Sequence, residues 1–134
     1  MGKCVMVVDD DVNIRTAVKL RLERDALTVL TAANGDEALR QIAEQRPDLV
    51  ILDLFLPVRD GYAVLSELKR SEVTANIPVI VLTAHHRCRE DNPALLSASD
   101  EIIVKPFSPR YLAQRVHAHL ERRSKAVSTP ASRR

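Results

Sequence analysis

Five short apolar runs alternate along the chain with stretches whose apolar residues recur at helical spacing. The runs cover residues 4–8, 27–31, 49–52, 79–82 and 102–104. Runs one, three and four are apolar throughout, as strands covered on both faces are. Run two reads Leu-Thr-Val-Leu-Thr, and run five follows Asp100 and Glu101, mixtures suited to the edges of a sheet. Ile14, Ala17, Val18 and Leu22 mark a first helix. Ala38, Leu39, Ile42 and Ala43 mark a second, capped by Asn34, and Leu65 and Leu68 mark a third. Leu112, Val116 and Leu120 mark a last helix, with Ser108 as cap and Pro109 as its first residue. A further helix is expected between His85 and Ser99, but Pro93 sits in its middle. Either Asn92 caps a short helix starting at Pro93, leaving 85–91 as loop, or the helix kinks.

Strict alternation of strand and helix within one domain implies a parallel sheet with helices on both faces. The predicted fold is α/β: a doubly wound, five-stranded parallel sheet of (βα)5, flavodoxin-like type, with strand order 2-1-3-4-5. Such a sheet binds ligands at the carboxyl ends of its strands, where the order reverses between strands 1 and 3.

Composition narrows the class. The 134 residues suit one domain, and 46% hydrophobic with 28% charged residues is ordinary for a globule with its own core. The start runs straight into Asp9 and Asp10, so no secretory signal is expected, and Met6 stands where a myristoylation motif needs Ser or Thr. No apolar stretch reaches membrane-span length. Without Trp, and with Phe55, Phe107, Tyr62 and Tyr111 as its aromatics, the chain lacks a stacking platform for single-stranded nucleic acid. The net charge of +2 belongs to the end of the chain: residues 121–134 hold five basic groups against Glu121, leaving 15 basic and 17 acidic groups before them. Residues 1–122 are therefore expected to form the domain, and 123–134 a basic, disordered tail or linker. Cys4 and Cys88 are read as free thiols in a reducing cytoplasm.

Chemistry gathers at the strand ends. Strand 1 ends in Asp9, Asp10 and Asp11, strand 3 in Asp53, strand 4 in Thr83 and strand 5 in Lys105. Taken alone, the acidic triplet is a helix cap with neighbours favoured by the helix dipole, and Asp60-Gly61 is a turn signal. Together they place several carboxylates, a hydroxyl and an ammonium at one sheet edge. Clustered carboxylates need a compensating charge, and Mg2+ suits oxygen ligands shared with a phosphate. A carboxylate beside a cation and a lysine can also attack a phosphoryl group and become an acyl phosphate.

Along residues 3–121 the chain resembles a response-regulator receiver domain. The matching pieces are Val8-Asp9-Asp10, Leu52-Asp53-Leu54 with Leu56-Pro57 and Asp60-Gly61, Thr83-Ala84, and Lys105-Pro106-Phe107. Thirty residues separate Asp53 from Thr83, and 22 separate Thr83 from Lys105. The resemblance implies that Asp53 is the phosphoacceptor. It implies that Asp10 and Asp53 ligate Mg2+, with Asp9 acting largely through water and the Phe55 carbonyl supplying another oxygen. Lys105 would pair with Asp53 and the phosphoryl group, Thr83 would bind a phosphoryl oxygen, and the Lys105–Pro106 bond would be cis. It also implies a cytoplasmic switch that catalyses only its own phosphoryl transfer and dephosphorylation. Its partners would be a sensor histidine kinase or phosphotransfer protein and a downstream effector, with no membrane and no direct nucleic-acid contact by this domain. Two departures stand out: Ile102 occupies a position that is commonly aromatic in receivers, and Ala98-Ser99 replaces an expected glycine.

Two other functions use the same frame. One is an interaction module that works without phosphorylation. The other is a Mg2+-dependent phosphatase of the haloacid-dehalogenase type, which needs a second Asp two residues after the nucleophile, where this chain has Phe55. The phosphate-binding patterns of nucleotide enzymes are absent. His85, His86 and Cys88 lack a fourth ligand and read as a solvated loop, and His117 and His119 read as surface residues on opposite sides of a helix.

Overall fold

A computed structural model describes residues 2–56, 58, 60–84 and 98–128. Five parallel strands, β1 (Cys4–Val8), β2 (Thr28–Ala32), β3 (Leu49–Asp53), β4 (Val79–Thr83) and β5 (Glu101–Val104), form one sheet in the order β2-β1-β3-β4-β5. The predicted order and edge strands are both borne out. Four helices are described: α1 (Val12–Glu23), α2 (Gly35–Gln45), α3 (Gly61–Arg70) and α4 (Pro109–Ser128). The segment in which a further helix is expected, with Pro93, His85, His86 and Cys88, lies outside the described residues.

The two-residue period of the strands sorts the core into two layers. Met6, Val8, Val50, Leu52, Val79 and Val81 pack with Ala38 and Ile42 of α2 and with Val64, Leu65 and Leu68 of α3. Val5, Val7, Leu49, Ile51, Ile80, Leu82 and Ile103 pack on the other face with Val18 and Leu22 of α1 and with Leu112, Val116 and Leu120 of α4. Both faces of the central strands are covered, which explains their unbroken apolar character.

Local chemistry starts the helices where the sequence predicts. Asn34 Oδ1 accepts from the Glu37 amide at 2.9 Å, and Glu37 Oε1 in turn accepts from the Ala33 amide at 2.8 Å. Ser108 Oγ accepts from the Tyr111 amide at 2.9 Å. Two of the apolar positions that mark the helices lie outside the core. Ala17 and Ala43 are exposed. Each sits one residue, about 100° of helix rotation, off the buried line through Val18 and Leu22 or through Ala38 and Ile42.

The last helix corrects the reading of its histidines. His117 and His119 do face different ways, but neither is a free surface residue. His117 Nε2 lies 2.8 Å from Asp25 Oδ2, and the buried His119 places Nε2 2.8 Å from Glu101 Oε1. Arg115 Nε donates to both oxygens of Glu101, so β5 and α4 are joined by charge as well as packing. Burial alone would raise the Glu101 pKa, yet the His119 and Arg115 contacts outweigh it and hold the carboxyl below its ordinary value. The α4 backbone also runs on to Ser128, past the expected boundary at residue 122; residues 129–134 lie outside the described ones.

Candidate functional site

Because β1, β3, β4 and β5 are parallel neighbours, their carboxyl ends share one edge of the sheet. Asp9 and Asp10 follow β1, Asp53 ends β3, Thr83 ends β4 and Lys105 follows β5. The strand period also sets direction. Asp9, Asp53 and Lys105 continue the parity of Val7, Ile51 and Ile103, which face α1 and α4. Lys105 Nζ accordingly donates to Asp9 Oδ2 at 2.9 Å and to Asp53 Oδ2 at 3.3 Å. Thr83 is fully buried, and its carbonyl accepts the Lys105 amide at 2.8 Å. The Lys105–Pro106 peptide is cis, as expected.

The three acids after β1 divide the work. Asp11 caps α1, accepting from the Asn13 amide at 2.8 Å, so the helix-cap reading holds for that residue alone. Asp9 is completely buried; besides Lys105 it accepts the Asp11 amide on Oδ1 at 2.9 Å. Asp10 is exposed, and one of its carboxylate oxygens lies within 4.8 Å of oxygens of Asp9 and Asp53.

Asp53 is only 4% exposed. Burial raises its pKa, and the neighbouring charge of Asp9 adds to the rise; the Phe55 amide on Oδ1, at 3.1 Å, and Lys105 offset this in part. Burial opposes the charge of Lys105, but its bonds to Asp9 and Asp53 outweigh that and raise its pKa. The lysine is thus a fixed cation shared by two acids. Three carboxylate oxygens converging beside one ammonium fit a small divalent cation such as Mg2+, which takes oxygen ligands and is usually held by one or two carboxylates and a phosphate.

Phe55 is drawn to the site through its amide, and its side chain is half exposed. Gly61 sits closer to Asp53 than a turn signal would suggest. Its amide donates to the Leu54 carbonyl at 2.9 Å, and a Cβ added there would run into the Asp53 carbonyl oxygen. Asp60 caps α3 by accepting from the Ala63 amide at 2.9 Å. Sequence reasoning missed one residue at this edge, Arg15. Its Nη1 donates to the Asp9 main-chain oxygen at 2.7 Å. The available signal was a cation early in the helix that directly follows the acidic run.

Comparison with known proteins agrees with this fold. The family model of the response regulator receiver domain matches residues 5–117. The phosphate regulon transcriptional regulatory protein PhoB of Pseudomonas aeruginosa is 40% identical over 124 residues, covering 91% of this chain and 53% of that protein. The solved receiver domain of Francisella response regulator 1452 is 32% identical with a TM-score of 0.81, covering 90% of this chain and 98% of that one. NtrX from Brucella abortus is 29% identical with a TM-score of 0.86, and the match covers 99% of this chain but 30% of that one. The chain spans about half the length of the curated relatives it matches.

Proposed function

The chain belongs to the response-regulator receiver family, and on that premise we propose that it is a cytoplasmic switch operated by Mg2+-dependent phosphorylation of Asp53. The observation that carries this reading is the bridge from Lys105 Nζ to both Asp9 and Asp53 at the carboxyl edge of the sheet, with Asp10 alongside. The donor is a phosphohistidine on a sensor kinase or phosphotransfer protein. An Asp53 oxygen forms the O–P bond as the donor's N–P bond breaks, and the departing imidazole takes its proton from solvent.

Each residue has a separate task. Asp53, nearly enclosed, supplies the nucleophilic oxygen. Lys105 holds that carboxylate in place and faces the charge that develops on the phosphoryl oxygens. The Thr83 hydroxyl, at the neighbouring strand end, takes one of those oxygens. Asp10, Asp53 and the Phe55 carbonyl would hold Mg2+, with Asp9 behind them through water. When bound, the cation neutralises charge on the carboxylates and the transferred group.

Phosphorylation then biases two conformations, and an effector binds one of them better. Transcriptional regulators among the relatives make a following effector domain a reasonable destination for the signal. Among the described residues no helix is long and apolar enough to cross a membrane.

Mass measurement tests the reading. Incubation with a small acyl phosphate and Mg2+ should add one phosphoryl group to the wild-type chain and none to Asp53→Asn. Asp10→Asn should need much more Mg2+ to reach the same level. Undiminished modification of Asp53→Asn would defeat the assignment.

A further inference from the structure

We propose that Arg15 is a positioning residue for the cation, holding the turn that presents Asp10. This rests on the reading of Asp10 as a cation ligand. α1 begins at Val12, so residue 15 stands within its first turn. Long helical side chains lean back toward the helix N-terminus. Arg15 does so, and its Nη1 donates to the Asp9 carbonyl oxygen at 2.7 Å. That oxygen belongs to the peptide joining Asp9 to Asp10.

The rest of the turn is tied down on the Asp9 side. The Asp9 amide donates to the Ala32 carbonyl at 3.1 Å, Asp9 Oδ1 accepts from the Asp11 amide at 2.9 Å, and Asp9 Oδ2 accepts from Lys105 at 2.9 Å. Asp10 is different. It is exposed, and its carboxylate has no hydrogen bond or ion pair with any described residue. Its direction toward Asp9 and Asp53 therefore depends on the peptide from which it stems. Arg15 fixes that peptide.

Charge alone argues the opposite. A guanidinium near three carboxylates repels an incoming Mg2+, so deleting it should tighten cation binding. Ordering the turn should loosen binding when it is lost. The two roles oppose in sign, which makes the inference testable.

The substitution is Arg15→Met in the full chain, which keeps an apolar stem and removes the donor fork. Mg2+ affinity is read by calorimetry, and amide exchange in the metal-free protein by NMR. The expected result is Mg2+ binding weaker by about tenfold, the scale for partners that orient metal ligands. The Asp11 amide should exchange faster, while Val7 and Ile51 in the core keep their protection. Lys19→Met, which removes a half-buried cation paired with Glu23 on the same helix, should leave Mg2+ affinity equal or slightly tighter. Unchanged or tighter binding by Arg15→Met overturns the proposal, as does exchange that accelerates equally in the core. Failure of the unmutated chain to bind Mg2+ would instead defeat the reading of the site. Unaltered Asp11 exchange in the variant would then still refute a role for Arg15 in holding the turn.

Discussion

Gly61→Ala should damage both the fold and the acceptor, although alanine is the better helix former. Gly61 opens α3, and its φ is not positive, so its backbone suits alanine. Space decides the outcome. The added Cβ would run into the Asp53 carbonyl oxygen and lie 2.5 Å from the Leu54 Cα, about 0.9 Å inside the 3.4 Å at which ordinary contact begins. Both neighbours are backbone at the end of a central strand, so neither can swing aside. Forcing an extra methyl into such a site costs about 1–3 kcal/mol, and the upper half of that range applies where backbone must move. Helix propensity and reduced chain entropy return up to about 1 kcal/mol. A net loss of about 2 kcal/mol should lower Tm by roughly 8 °C in a chain of this size. Because the atom displaced is the Asp53 carbonyl, the acceptor should shift by a large part of an ångström, and misplacements of about 1 Å can slow a reaction about 100-fold. Thermal melting by circular dichroism and the rate of phosphoryl gain from an acyl phosphate measure the two effects. A Tm equal to or above wild type, with an unchanged rate, would refute the steric reasoning.

Asp53→Asn should stabilise the metal-free protein at neutral pH. Burial raises the Asp53 pKa, so the folded state binds its proton more tightly than the unfolded chain does. The resulting cost is complete above the raised value, fades as pH falls through the window toward the ordinary 3.8, and is absent below it. Urea titrations across that range should show the mutant's advantage shrink with acid; an advantage independent of pH would contradict the assignment. Phe55→Asn should shorten the life of phosphorylated Asp53, because Phe55 is 52% exposed beside the acceptor and its ring cannot orient attacking water. Decay after removal of the donor, at fixed Mg2+, tests this, and equal or slower decay would show that position 55 does not limit hydrolysis. Val58→Gly should stabilise the chain by about 1 kcal/mol, since a β-branched residue at φ 70° is strained and its exposed side chain has little packing to lose. A lowered unfolding midpoint would count against that strain.

The fold was legible because the central strands are apolar without interruption while the helices carry a single buried line. That contrast sets the sheet order and brings Asp9, Asp53, Thr83 and Lys105 to one edge before any coordinate is known. The division of the acidic triplet was not legible. Which of Asp9, Asp10 and Asp11 caps the helix, which is buried and which stays open depends on the three-residue connection between β1 and α1. The exposure of Ala17 and Ala43 was not legible for a related reason, because a small apolar side chain reads alike on either side of a helix's buried line. His119 misled differently. Its burial follows from Glu101 at the start of β5, a partner 18 residues away that no local pattern reveals. Gly61 reads as a turn residue in sequence, and its contact with the Asp53 carbonyl emerges once α3 is seated on the end of β3.

The claim that Asp53 is the acceptor is tested most directly by trapping the modified residue. Borohydride reduces an acyl phosphate to an alcohol, which turns a phosphorylated aspartate into homoserine. The chain should be phosphorylated with an acyl phosphate and Mg2+, reduced, digested and sequenced by mass spectrometry. Homoserine is expected at position 53 and at no other, and none when Mg2+ is chelated first. Homoserine at position 9 or 10, or its absence from a chain that has gained a phosphoryl group, would contradict it.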